Sequence, residues 1–129
     1  MENFQYFKYS DFTCRCGCGL NNQSIPHIKK LDIARGIAGI PFVVTCGYRC
    51  QRHNEEVGGS ETSSHLIGHA TDILADTPTK RYRILSGLIR AGFERIEIGY
   101  KKAWGDKTKQ WIHVDDDISK SQGVLWIET

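Results

Sequence analysis

Apolar residues recur at intervals of three and four in two stretches of the chain, and this spacing predicts two amphipathic helices. The first can be capped by Ser24, has Pro26 in its first turn and ends near Gly39. Its apolar face consists of Ile28, Leu31, Ala34, Ile37 and Ala38. The second follows Thr77 as its N-cap and stops at Gly92. Its apolar face consists of Ile84, Leu85, Leu88 and Ile89.

Shorter runs, either apolar throughout or alternating between apolar and polar residues, predict strands around these helices. The predicted strands cover residues 41–45, 70–73, 95–99, 111–114 and 124–127. Residues 51–57 can form one or two helical turns. We find no repeat, low-complexity segment or linker. Residues 1–129 are therefore expected to form a single two-layer α+β domain, with a small and mostly antiparallel sheet packed on helices.

Residues 1–23 are predicted to form a cysteine-rich arm laid over this domain. Cys14, Cys16 and Cys18 are separated by single residues, while Cys46 and Cys50 lie four apart. Because this single-residue spacing is tighter than that of a CxxC zinc knuckle, it favours free thiols or a disulfide between the loops of Cys14 and Cys50 over a second metal site. A zinc knuckle that binds nucleic acid is a weaker alternative.

The charge distribution argues against a nucleic-acid surface, since the formal net charge is only +2 and the basic residues are interspersed with acidic ones. One local cluster of lysines and tryptophans is typical of a solvated loop or, less often, of a loop that faces anions or glycans. Its members are Lys101, Lys102, Trp104, Lys107, Lys109 and Trp111.

The sequence contains no recognisable targeting or membrane signal. Residues 1–10 lack the basic start and the apolar run of a secretory signal, and no segment approaches transmembrane length. We therefore expect synthesis in the cytoplasm and no membrane insertion. The protein is also expected to be a monomer.

A histidine and an aspartate seven residues apart are the strongest chemical signal in the chain. Gly68 and the β-branched Thr71 favour a loop that carries His65 and runs into a strand that carries Asp72. His113 lies on another predicted strand. Taken singly, these residues could have ordinary loop and core roles. Together, two imidazoles and one carboxylate are a typical ligand set of a catalytic zinc ion, whose bound water can hydrolyse an amide.

Four groups of residues extend this signal along the chain. They are Thr45-Cys46-Gly47-Tyr48-Arg49, then His53-Asn54 with Val57-Gly58-Gly59, then the stretch from Ser63 to Ile73, and finally Trp111-Ile112-His113-Val114-Asp115. In this order, over residues 24–118, the chain resembles the M15 zinc peptidases, a group of D-alanyl-D-alanine carboxypeptidases and murein endopeptidases with phage-encoded members. The resemblance implies a fold shared with the zinc-binding domain of hedgehog proteins, and peptidoglycan stem peptides as substrate. It also implies His65, Asp72 and His113 as zinc ligands.

The resemblance assigns substrate binding to Arg49, whose guanidinium suits an oxyanion or a peptide carboxylate. The alternative is a surface arginine paired with Glu55 or Glu56. Ser63 matches a serine that can hydrogen-bond near the zinc or the substrate, or it is only a turn residue. Cys46 replaces a serine of the family motif, and a nucleophilic thiol is disfavoured because no neighbouring sequence feature would lower its pKa.

The chain departs from the pattern of the family at the position of the general base. Many members of the family carry an acidic residue three before the last histidine ligand, where this chain has Gln110, and others a histidine two before it, where this chain has Trp111. Asp115 follows His113 by two residues and shares its face of the strand. Asp115 is therefore predicted either to act as the base or to orient a ligand imidazole.

The sequence thus predicts a zinc-dependent metallopeptidase that cuts peptide bonds of peptidoglycan stem peptides or cross-links after release during phage or prophage lysis. This prediction covers both carboxypeptidase and endopeptidase action. The alternative is a catalytically inactive, zinc-stabilised module that binds cell wall or a protein partner, which Gln110 and Trp111 motivate.

Overall fold

The computed structural model describes residues 3–100 and 110–128, and of Tyr100 only the backbone. Its elements are a short 3-10 helix (Tyr9–Phe12), α1 (Ile25–Ala38), β1 (Val44–Cys46), α2 (Gln51–Glu56), β2 (Ala70–Leu74), α3 (Pro78–Arg90), β3 (Arg95–Tyr100), β4 (Gln110–Asp115) and β5 (Val124–Ile127). Most of the predicted lysine and tryptophan cluster, namely Lys101, Lys102, Trp104, Lys107 and Lys109, lies outside the described residues.

Both long helices have the predicted ends. The Ser24 hydroxyl accepts a hydrogen bond from the amide of His27 at the start of α1, and Gly39 ends that helix in the left-handed conformation. The Thr77 hydroxyl caps α3 in the same way as Ser24 caps α1. The two helices pack closely against each other at Gly87, where an added Cβ would lie 2.5 Å from the Ala34 carbonyl oxygen.

The five strands form one sheet in the order β1-β2-β4-β3-β5. The pairs β1–β2, β2–β4 and β4–β3 are antiparallel, and β5 runs parallel to β3. This sheet and the helices confirm the predicted α+β class. Along the described part of the chain, no helix has the length and apolar character needed to cross a bilayer.

The two faces of the sheet have different chemistry, because successive side chains of a strand point to opposite sides. On the helix side, Ile73, Ile96, Ile112 and Val114 are at most 2% exposed and join the helical residues Ile28, Leu31, Ile84 and Leu88 in the core. On the other side, Asp72, His113 and Glu97 lie directly beside one another on three adjacent strands. The functional side chains therefore share the face that the two long helices leave uncovered.

Strand β1 begins three residues later than predicted, at Val44 instead of Pro41. Proline has no N–H to donate to a ladder, and pairing starts only where the Val43 carbonyl accepts from the amide of Leu74. The register shifts between Val44 and Cys46, and this irregularity places Cys46 opposite Asp72.

The arm is tied to the body by backbone contacts near its middle and its end. Phe12 is fully buried in the core, and its carbonyl accepts from the amide of Tyr48 at 2.9 Å. Further on, the amide of Ser24 donates to the carbonyl of Gly68 at 2.8 Å. Gly68 has φ +75°, and a Cβ there would lie 2.1 Å from the Asn22 carbonyl oxygen. A glycine is therefore required where the loop that carries His65 passes close to the arm.

Candidate active site

Asp72 is the centre of a cluster on the open face of the sheet. Its Oδ1 lies 2.9 Å from His113 Nδ1 and 3.3 Å from His65 Nε2. Strand pairing positions His113, since β2 and β4 place it directly opposite Asp72. His65 comes from the loop between α2 and β2, and the two imidazole rings are 5.2 Å apart. The structure thus brings together the three residues predicted as metal ligands.

The remaining nitrogen of each imidazole is held by a hydrogen-bond acceptor. His65 Nδ1 lies 2.8 Å from the Gly47 carbonyl oxygen, and His113 Nε2 lies 2.8 Å from Asp115 Oδ2. Because both acceptors require an N–H, they leave the lone pairs of neutral imidazoles on the two nitrogens that face Asp72.

This donor set fits a zinc ion. Tetrahedral ligands about 2.0–2.1 Å from zinc lie roughly 3.3 Å from one another, which is close to the separations around Asp72 Oδ1. The side chains of His65 and His113 are 5% and 13% exposed, so the ligand nitrogens are shielded, while Asp72 remains partly exposed toward the open face. Two nitrogens, one oxygen and an open side are the protein part of a catalytic zinc site.

Electrostatics within the cluster hold protons on the imidazoles when no metal competes for them. Burial disfavours a charged His65, but the Asp72 carboxylate outweighs it and raises the pKa of His65 to about 10. Burial likewise opposes the charged form of His113, whose pKa is nevertheless raised by Asp115 and Asp72. The pKa of Asp72 is lowered despite its burial, because both histidines stabilise the carboxylate. A cation is therefore favoured between these groups.

Asp115 is enclosed and fully engaged. Its side chain is 1% exposed, and Oδ1 accepts from Arg95 Nε at 2.7 Å and from the amide of Asp117 at 3.2 Å. Its other oxygen holds His113. Burial would raise the pKa of Asp115, but His113 and Arg95 together lower it. Both carboxylate oxygens thus have protein partners, and neither is directed at the open side of Asp72.

Arg49 stands beside the cluster without a carboxylate partner among the described residues. Its Nη1 donates to Asn54 Oδ1 at 2.9 Å and its Nη2 to Cys46 Sγ at 3.4 Å, while its buried Nε has no partner. The ion pair with Glu55 or Glu56, which the sequence left open, is not formed. A guanidinium held by neutral groups retains its charge for an anionic ligand.

Two further predicted residues have structural contacts. The Ser63 hydroxyl accepts from the amide of His65 at 3.3 Å and thereby stabilises the turn that carries this histidine. Cys46 Sγ lies 3.6 Å from His65 Nδ1. Burial would raise the pKa of the Cys46 thiol, but His65 lowers it, so the expectation that nothing near this thiol would lower its pKa is wrong. Among the described residues, neither His53 nor His69 forms a hydrogen bond with this thiol.

Gln110, at the position where many family members have an acidic residue, faces away from the site. Gln110 lies three residues before His113 and therefore on the other side of β4, where its Oε1 accepts from Arg81 of α3 at 3.4 Å. Trp111 shares the face of His113 and packs over Gly99, where an added Cβ would lie 2.2 Å from its ring.

Glu97 and Arg95 are the site residues that the sequence reasoning missed. Glu97 is partly exposed beside His113, and its Oε2 accepts from Trp126 Nε1 at 2.7 Å. Burial raises the pKa of Glu97, although His113 opposes this effect. The alternation of residues 95–99 already placed both side chains opposite the core, but only the pairing of β3 with β4 shows which histidine they face.

Comparisons with known proteins identify the family and a similar fold. The family model described as Peptidase M15 matches residues 5–115. Among solved structures, the chain is similar to the L-Ala-D-Glu endopeptidase ChiX of Serratia marcescens, with a TM-score of 0.51 and 24% sequence identity over 73% of this chain and 80% of that one. No curated protein sequence gives a significant match.

Proposed function

Because this chain belongs to the M15 peptidase family, we propose that it is a zinc-dependent peptidase that hydrolyses peptide bonds in the stem peptides or cross-links of peptidoglycan. The observation that carries the proposal is the contact of Asp72 Oδ1 with one nitrogen of His65 and one of His113 on the open face of the sheet. A zinc ion held by these three residues would polarise the scissile carbonyl and acidify a water molecule.

Arg49 is proposed to bind the substrate. It lies three residues after β1, no carboxylate among the described residues pairs with its charge, and its guanidinium suits a carboxylate or a peptide carbonyl. Peptidoglycan stem peptides carry free carboxylates, which suit such a guanidinium. The interaction would orient the scissile bond over the three ligand residues.

Glu97 is proposed as the group that takes the proton from the attacking water, in place of the absent acid at Gln110. It lies beside His113 on the open face and is partly exposed, and within the described part of the chain only Trp126 Nε1 donates a hydrogen bond to its carboxylate. Asp115 is proposed as a positioning residue, since its two oxygens hold Arg95 and His113. Its side chain is also only 1% exposed.

The proposal is tested by digesting purified peptidoglycan and identifying the products by mass spectrometry. We expect soluble fragments with the zinc-loaded protein and none after chelation or with His65→Ala. His69→Ala is the matched control, because His69 bonds to Asp116 and takes no part in the cluster. Glu97→Gln should bind zinc normally while kcat falls by about 10²–10⁴-fold. Digestion that persists in metal-free His65→Ala would overturn the proposal.

The fragment masses also identify the bond. Loss of a single terminal residue indicates a carboxypeptidase, whereas separation of two stems or release of a stem from its first alanine indicates an endopeptidase. The L-Ala–D-Glu bond named for the structural neighbour is the first one to assay. Action after release during phage lysis remains part of the proposal.

A second candidate function is a zinc-stabilised module that binds cell wall without cutting it. The observation that favours it is the orientation of Gln110 toward Arg81. No base therefore stands at the position where many family members have an acidic residue. It predicts co-sedimentation with peptidoglycan and full zinc content, but no product in the same digest.

A further inference from the structure

Four of the five cysteines lie together where the arm meets the turn before α2. Cys14, Cys16 and Cys18 come from the arm and Cys50 from that turn. Their sulfur atoms all lie within 4.8 Å of one another, with 3.6 Å between Cys14 and Cys16 and 3.7 Å between Cys16 and Cys50. We name these residues the four-thiol cluster.

The spacing of the sulfurs fits a shared metal ion. All five cysteines are free, and a disulfide would require about 2.05 Å between two sulfurs. Four thiolates arranged tetrahedrally about 2.3 Å from zinc lie roughly 3.8 Å from one another, close to both separations given above. The geometry therefore matches a four-coordinate site better than it matches the disulfide that the sequence left open beside free thiols.

Each sulfur of the cluster also accepts an N–H hydrogen bond. The donors are the Cys50 amide to Cys14 (3.4 Å), Arg52 Nη2 to Cys16 (3.6 Å), the Leu20 amide to Cys18 (3.4 Å) and the His53 amide to Cys50 (3.4 Å). N–H donors directed at sulfur stabilise negative charge on thiolates and orient them as metal ligands. These four contacts are independent of the distances between the sulfurs.

We propose that Cys14, Cys16, Cys18 and Cys50 bind a second zinc ion, which is structural. Four protein ligands close the coordination sphere, so no position remains for water or substrate. Soft thiolate ligands in this geometry select zinc over the hard cations magnesium and calcium. The fifth cysteine, Cys46, is excluded because its sulfur faces His65 in the other cluster.

The second zinc ion would fix the turn that serves the active site. Cys50 binds it at one end of this turn, and at the other end the Gly47 carbonyl holds His65 Nδ1 at 2.8 Å. Between them, the amide of Arg49 donates to the His65 carbonyl at 3.1 Å. An ion that joins the arm to Cys50 would therefore limit the movement of both His65 and Arg49.

The proposal is tested by metal analysis of the purified full chain, together with the absorption spectrum of its cobalt-substituted form. We expect two zinc ions per wild-type chain and one in each of two variants, Asp72→Ala and the double variant Cys16→Ser/Cys18→Ser. Thiolate-to-cobalt charge-transfer bands should be present in wild type and Asp72→Ala and absent in the double variant. Cys46→Ser is the matched control and should keep both the second ion and these bands.

If the double variant does not fold, two measurements on the wild-type protein alone still test the second zinc ion. Cadmium-113 NMR of the cadmium-loaded protein should show two resonances, one of them in the range of four sulfur ligands. A thiol reagent should titrate four more cysteines after denaturation with chelator than in the native zinc-loaded protein. One zinc ion per chain without thiolate charge transfer, or a disulfide between the arm and Cys50 in protein purified in the presence of a reducing agent, would overturn the proposal.

Discussion

The buried carboxylate of Asp115 allows a prediction that separates a positioning role from a catalytic one. In Asp115→Asn, the amide oxygen must replace Oδ1, because Arg95 Nε and the Asp117 amide both donate to that position. The amide nitrogen then faces His113 Nε2, and two N–H groups cannot share that contact. His113 is therefore expected to move its proton from Nε2 to Nδ1, which removes the lone pair directed at the metal position beside Asp72.

The size of the effect follows from the contacts that change. Loss of a residue that orients a metal ligand typically weakens metal binding by about 10–100-fold, equivalent to roughly 1.4–2.7 kcal/mol. Arg95 keeps an acceptor but loses its counter-charge at a site where the two side chains are 11% and 1% exposed. We therefore also expect the metal-free variant to lose about 1–3 kcal/mol of unfolding free energy.

The assay measures zinc affinity by competition with a chromogenic chelator, and compares turnover at saturating zinc with turnover at limiting zinc. A positioning role predicts weaker zinc binding and partial recovery of turnover when zinc is raised. Glu94→Gln removes the same charge from an exposed side chain and serves as the control. If Asp115→Asn binds zinc like wild type and yet loses turnover by 10²-fold or more, Asp115 is the general base and our reasoning is wrong.

Two further predictions concern protonation and backbone geometry. The pKa of His65 is raised to about 10 from about 6.5, so zinc binding at pH 7.5 should release at least one proton from the imidazole. Calorimetry in buffers of different ionisation enthalpy measures this release. A binding enthalpy that is the same in all of them would contradict the prediction. In metal-free protein, the same shift stabilises the fold fully below about pH 6.5, and this contribution is lost as the pH rises through about 10. Gly68→Ala should lower the unfolding free energy by about 2–4 kcal/mol in urea titrations, because the new Cβ combines a positive φ with overlap on Asn22. Gly58→Ala has a similar φ and open space around it, so an equal loss there would contradict the steric part of the argument.

Local patterns were sufficient to predict the helices and most of the strands. Both long helices carry their signals within the segment itself, in the capping hydroxyls of Ser24 and Thr77 and in the spacing of the apolar residues. The order of the strands and the parallel pairing of β5 with β3 depend on contacts between distant segments, which no local pattern specifies. The late start of β1 reflects competition between the β-branched residues and Pro41.

Residue types and their order were sufficient to predict that His65 and His113 lie beside Asp72, but not which groups surround these three residues. The roles of Asp115 and Glu97 depend on the register of β4 with β3, which places Arg95 opposite Asp115 and Glu97 opposite His113. The four-thiol cluster was underestimated, because its fourth member lies 32 residues beyond Cys18 and only the docking of the arm brings it close.

The way in which the arm is attached has a consequence for folding kinetics. Its contacts join residues far apart in the chain, 36 residues for the Cys50 amide with Cys14 and 47 for Gln23 with the Ala70 carbonyl. Closing such long loops costs entropy before any contact is gained, whereas α1 and α3 can form from local contacts. Docking of the arm is therefore expected late on the folding pathway, so that weakening it accelerates unfolding and leaves the folding rate nearly unchanged.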